Sequence, residues 1–420
     1  MRALAAVLAV LGVTGCGRSG DSGMEPAPEP PPAVSPRLLH AFRPGSIGFY
    51  YNPPTLVDGN LYIGTSRGIR YLKGSGNAFY KLNATTLAKV WEYPLDTLEV
   101  RGAAALDAGG NVYFFVDQGR TINNANPSTA WLYSLDPAGS LRWKQQVRRV
   151  LPETGMNSPA IGDDNTIYIL GEKLFAFNSD GTVRWSYGHQ PAAYIAMNAP
   201  IIDPAGNLYF SALGFIISVA PAGATRWIVN TSGEYFSSPA FSVDFSRIVV
   251  GVGNSVYCLR AEDGSQVWRF TPAGTSGLFR ATPAVDDHDD VYIGTKGDSA
   301  SVLYAIRADG TQMWQRAIGR DLYSSPAIGS DRTLYVGSEG ARLWALDLAT
   351  GADRWTSALL MDVTWSSPAV ADDGTLYIAS MDMDGEGGAL YSFRTDSRGL
   401  LGGAGSPRFH ESNASTGRRN

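Results

Sequence analysis

Residues 345–355 read ALDLATGADRW: the end of an apolar strand, a tight turn with glycine at 351, and a tryptophan at 355. Alone, its Asp347, Gly351 and Trp355 could pass for a cofactor pocket. Along the whole chain they are the fullest copy of a repeating unit. Trp91, Trp143, Trp185, Trp227, Trp268, Trp314 and Trp355 are separated by 52, 42, 42, 41, 46 and 41 residues. Ahead of each lies an apolar strand (LYSLD, LFAFN, LYAIR, LWALD), and between strand and tryptophan a turn such as PAGSLRW, SDGTVRW, AEDGSQVW or ADGTQMW. Glycine at the fixed turn position permits positive φ, which marks a hairpin.

A second signature runs in its own register. Pro53, Ala104, Pro159, Pro200, Pro239, Pro283, Pro326 and Pro368 are followed nine residues later by Tyr62, Tyr113, Tyr168, Tyr209, Ile248, Tyr292, Tyr335 and Tyr377. Proline at the start of a strand costs no ladder bond at an edge. Each unit therefore has four short strands, here A to D, with tyrosine on B and tryptophan on D. Eight such units with a period near 42 predict an all-β, eight-bladed β-propeller of four-stranded antiparallel blades. The eighth unit has Leu401 where the tryptophan should stand, whereas His40 lies thirteen residues before Pro53, as Trp355 lies before Pro368. The segment LLHAF is thus expected to supply strand D of the last blade and close the ring.

The propeller is assigned residues 37–400. Before it, an apolar run after Arg2 ends in VTGC and reads as a signal peptide over 1–15, with Cys16 as the lipidated N-terminus. Residues 16–36 are rich in Gly, Ser and Pro and read as a tether; residues 401–420 form a tail. With Cys16 acylated, Cys258 stands alone, so an intramolecular disulfide is not expected. A net charge of −5 gives no reason to expect nucleic acid as partner or an anionic membrane surface.

The repeats resemble those of the pyrroloquinoline quinone (PQQ) propeller superfamily, whose tryptophan-docking motif AxDxxTGxxxW is matched by Ala345, Asp347, Thr350, Gly351 and Trp355. The tail SPRFHESNASTGRR (406–419) resembles a segment ending in TGR found in envelope propellers of this kind, without the usual tryptophan after Ser-Pro. The resemblance implies one of two things. Quinoprotein dehydrogenases hold quinone and calcium over the central channel and usually carry a vicinal disulfide, which two distant cysteines cannot form. Non-enzymatic members of the envelope-lipoprotein branch, including the propeller lipoprotein of outer-membrane β-barrel assembly, use the ring as a binding platform.

The expectation is a non-catalytic, lipid-anchored scaffold of the bacterial envelope, monomeric and at the outer membrane. It binds a protein or peptide and needs no PQQ or calcium. The alternatives are a PQQ- and calcium-dependent oxidoreductase or a carbohydrate-binding propeller. Copies that disagree in their loops point to a binding face. The B–C steps are longest in units one, two and eight, at 18, 20 and 14 residues, and carry Arg67, Arg70, Lys73 and Arg120. On the same face the D–A loops place Tyr50, Phe236, Tyr323 and Trp365 three residues before the strand-A position, with Phe279 one place earlier. These aromatics either pack strand A against the next blade or form a rim that, with the basic residues, docks a protein segment. The acid cluster DDHDD (286–290) reads as a solvated A–B turn. Asp382, Asp384 and Glu386 are a weak calcium candidate in an acidic loop without EF-hand spacing. His40, His189, His288 and His410 form no legible triad.

Overall fold

In the seventh unit, Ala327–Ile328, Thr333–Ser338, Arg342–Asp347 and Asp353–Ala358 pair antiparallel in chain order, as strands A to D of one blade. Tyr335, Ala345 and Trp355 face one another across strands B, C and D. This computed structural model describes residues 36–417 apart from 46, 50–51, 67–75, 119–128, 149–156, 189–197, 213, 232, 234–236, 274–276, 298–300, 320–321, 341, 359–365, 383–386 and 413–414. The signal peptide, Cys16 and nearly all of the tether lie outside the described residues.

Among the described residues there are eight such sheets, all antiparallel, and no helix. In blades 2 and 6 the innermost strand comes in two pieces, Glu99–Val100 with Ala105–Leu106 and Leu278–Phe279 with Ala284–Val285. Each C–D pair carries a register shift just before its tryptophan. A bulge there re-aims the tryptophan and twists the outer strand.

Ring closure occurs where the spacing placed it. Arg37–Phe42 pairs with Gly388–Arg394 as the outer strand of the last blade. Its register shifts between Leu38 and His40, and His40 faces Ser392, as Trp143 faces Ser134. His40 therefore stands in the tryptophan slot with the same bulge. Leu401 leaves that blade altogether, its N–H bonding to Ile328 O of blade 7.

Among the described residues, eight buried apolar clusters lie between neighbouring blades, one at each junction, including the junction of the last blade with the first. One blade buries neither face alone, so stacking in a closed ring creates the core. Hydrogen bonds near the axis add a girdle. Ser158, Ser238, Ser325 and Ser367, each just before the strand-A proline, accept from the backbone N–H of Ala103, Ala199, Thr282 and Ser325 in the preceding blade.

Blade 5 departs from the expected register. Ala240 pairs with Val249, nine residues on, whereas Ala160 pairs with Tyr168 and Ala327 with Tyr335, eight on. Val249, not Ile248, faces Cys258 and through it Trp268, and so occupies the tyrosine position. The A–B turn of this blade is one residue longer, and counting from Pro239 could not reveal it.

Candidate protein-binding face and the central channel

The tryptophans and turn glycines form a ladder between blades. Trp314 donates from Nε1 to Leu348 O at 3.0 Å and lies against Gly351 of the next blade, where a Cβ would come within 2.7 Å of the indole. Trp91, Trp143, Trp185, Trp227 and Trp268 repeat this on Pro137, Ser179, Pro221, Ala261 and Ala308. Trp355 packs in the cluster between the seventh and last blades. Asp347 accepts from Thr350 N and Oγ1 and from Arg354 Nη2. Against the desolvation imposed by partial burial, these bonds hold its carboxyl below the ordinary range. The opening motif is therefore a turn cap and an indole seat.

The A–B turns, at the same end of the ring as these C–D turns, carry in blades 2 and 4 a network that strand periodicity did not reveal. Asp107 caps its A–B turn and accepts from Tyr113 OH, which also accepts from Arg142 of strand D; Asp203, Tyr209 and Arg226 repeat the arrangement. Burial, with the neighbouring Asp107 carboxylate, pushes the Tyr113 phenol up to about 12. The arginine before a tryptophan was the available signal. Asp286 of DDHDD has the same capping role, accepting from His288 N, Asp290 N and Tyr292 OH. Asp287 pairs with Arg332 at 3.0 Å, Asp289 accepts from Val243 N, and Asp290 from Ala308 N. Asp286, Asp287 and His288 bring ligand atoms within 4.8 Å of one another, but Arg332 reaches all three. A turn with its own guanidinium counter-ion accounts for the cluster.

The loop face is described only in part. Tyr50, Phe236, Trp365, Arg67, Arg70, Lys73, Arg120, Asp384 and Glu386 lie outside the described residues, as does His189; Asp382 donates its N–H to Gly387 O. Phe279 has no exposed surface and lies 5.8 Å from Tyr304, in the cluster between blades 5 and 6. It is a packing residue and does not belong to a rim. Tyr323 is 9% exposed, with the charged groups of Arg280 and Lys296 at 5.9 and 5.8 Å from its ring centre. The equivalent position in blade 2 is Arg101, buried with Glu99 at 2.9 Å and Asp117 at 3.3 Å. Aromatic spacing had no means of finding this triad.

The tail occupies the channel, an outcome its missing tryptophan left open. Ser406 O accepts from Val285 N, Pro407 O from Ile328 N, Thr416 O from Ile161 N, and Gly417 O from Ile202 N. These are the second residues of strand A in blades 6, 7, 3 and 4, so the tail caps the inner sheet edges. Phe409 has no exposed surface and packs against Ala103 and Ala199. Arg408 Nη1 donates to Ser412 O and Nη2 to Pro54 O; His410 Nε2 donates to Pro200 O. Burial drives the His410 imidazole down to about 4, against the bond to Pro200 and with help from the Arg408 charge.

Comparison with known proteins agrees with the repeats. The family model described as "Outer membrane protein assembly factor BamB" matches residues 214–306 and 298–398. Over those residues, less than half of the chain, the repeats are similar to those of the PQQ-like propeller family. Protein Rv3035 of Mycobacterium tuberculosis is 26% identical over 255 residues, 52% of this chain and 60% of that protein. The matches span between 14% and 60% of the curated relatives' own lengths. BamB from Moraxella catarrhalis superposes with a TM-score of 0.61 at 13% identity, covering 85% of this chain and all of that one. A europium-containing methanol dehydrogenase gives 0.64 at 13% identity, covering 86% and 93%. At that identity both show the fold alone. Arg408, Phe409 and His410 are all buried at this level of the ring.

Proposed function

We propose that the protein is a lipid-anchored propeller of the bacterial envelope, held at the outer membrane through Cys16 and its tether, which binds another envelope protein without catalysis. The observation that carries this reading is the filled channel. Arg408, Phe409 and His410 of the chain's own tail are buried in it, which supports a role for the surfaces and loops of the ring. Similarity to BamB, an outer membrane protein assembly factor by its description, supports the same reading. The proposed docking surface is the loop face, with Tyr323, Tyr50, Phe236 and Trp365 as aromatic anchors and Arg67, Arg70, Lys73 and Arg120 beside them. Aromatic and arginine side chains dominate the energetics of such contacts.

The test is co-purification from crosslinked envelopes. Trp365→Ala combined with Tyr323→Ala should abolish capture of a discrete partner while the melting curve stays cooperative. Unchanged capture would remove the rim from the account. Quinone absorbance and calcium-dependent dye reduction by the purified protein would replace the scaffold with the oxidoreductase.

A further inference from the structure

The described part of the tail ends at a fixed point. Thr416 O accepts from Ile161 N at 3.0 Å and Gly417 O from Ile202 N at 2.8 Å. Ile161 and Ile202 are the last residues of strand A in blades 3 and 4, so each bond stands at the foot of an A–B turn. Gly417 has φ +71°, and a Cβ there would come within 2.7 Å of Ala160 Cβ and of Pro200 O. Only glycine passes between the two blades in that backbone conformation. Its place sets where the next two residues, Arg418 and Arg419, begin; both lie outside the described residues.

A cleft of about 460 Å³ opens at that point, with Ile202 itself in its wall. Asp163 and Asp164 from the A–B turn of blade 3, Asp203 from that of blade 4, and the Tyr168 and Phe245 rings line it. Three carboxylates thus face the cleft, and no basic residue lines it. Arg184 pairs with Asp164 from outside. Asp203 is held by neutral donors, the backbone N–H groups of Ala205 and Asn207, the Asn207 amide and the Tyr209 hydroxyl, and makes no ion pair among the described residues. Asp163 is exposed on its turn. Arg226, Arg247 and Arg260 line a neighbouring cleft, with Phe245 and Asp203 as the walls common to both. The first cleft therefore combines unneutralised carboxylates with aromatic walls.

We propose that this cleft is a guanidinium-binding site whose occupant is the chain's own Arg418–Arg419 segment. Continuity selects that segment. Two residues span at most about 7 Å when fully extended, and Gly417 is already bonded to the cleft wall at Ile202, so both arginines begin beside it. Charge selects it as well, since guanidiniums form strong, often bidentate hydrogen bonds with carboxylates, here those of Asp163 and Asp203. The walls agree, because an arginine stem packs on apolar surface and its planar head stacks on aromatic faces such as Tyr168 and Phe245. Seated there, the two arginines latch the end of the tail onto blades 3 and 4. The latch lies at the turn end of the ring and does not depend on the loop-face rim.

The experiment is amide hydrogen exchange on the full chain. Arg418→Glu combined with Arg419→Glu should speed exchange at Ile161 and Ile202 by at least about threefold, the scale of two partly exposed ion pairs. Val285 and Ile328, which the tail caps through Ser406 and Pro407, should keep their rates. Arg418→Gln with Arg419→Gln, which removes the charges without reversing them, should act in the same direction and less strongly. Asp163→Lys added to the glutamate pair should restore protection, because the exchanged charges attract again. Unchanged exchange at Ile161 and Ile202 in both arginine variants would overturn the proposal. An equal rise at all four amides would also overturn it, since the arginines would then act on the stability of the whole ring. Failure of Asp163→Lys to restore protection would place the arginines outside this cleft and overturn it as well.

Discussion

Trp314 and Gly351 show how one repeat position holds two blades. Gly351 sits at φ +70°, and its missing side chain is the space the Trp314 indole occupies. Gly351→Ala is expected to cost about 1–3 kcal/mol, through backbone strain and the displaced ring. Gly402, with nothing within 4 Å of an added Cβ, should tolerate alanine with little change. Chemical unfolding midpoints of the two variants check the contrast. His410 gives a pH signature. Its imidazole is held near 4 in the fold against an ordinary 6.5, so the unfolded chain binds the extra proton between those values. Stability should therefore be full above pH 6.5 and fall as the pH drops towards 4, by up to on the order of 3 kcal/mol. His410→Gln should flatten that part of the curve, read as melting temperature against pH. At this scale the sequence was legible where a residue recurs in register, as with tryptophan, glycine and His40. Arg101 and Phe245 were not, because each is an exception at its position and only spatial neighbours give it meaning.

Among the elements, two terminal segments complete the ring. Arg37–Phe42 was legible because His40 keeps the thirteen-residue distance to Pro53 that Trp355 keeps to Pro368. A chain beginning at residue 44 is expected to melt at a lower temperature. A peptide of residues 36–44 added in excess should restore part of the loss by binding only the folded state. The tail was not legible, since its only large apolar side chains are Leu401 and Phe409 and much of its anchoring is through backbone groups. Removing residues 401–420 should speed hydrogen exchange at the amides of Ile161, Ile202, Val285 and Ile328, which the tail caps. The extra residue in the A–B turn of blade 5 stayed hidden for a third reason. A valine or an isoleucine fits the strand equally well, so only the pairing to Cys258 fixes the register.

For the whole molecule, the repeats build a ring of similar blades, and among the described residues individuality shows in the split inner strands of blades 2 and 6, the Arg101 triad, the filled channel and the irregular turn of blade 5. A propeller of this form offers two faces, and the account assigns the docking surface, aromatic and basic, to the loop end. The most direct test of the scaffold claim is a photo-crosslinking amino acid placed at position 365 of the full chain in intact envelopes. Position 183, on outer strand D and 56% exposed, serves as the control. The account expects one discrete adduct with an envelope protein from position 365 and none from position 183. Identical adduct patterns from both positions, or no adduct at 365, would contradict it.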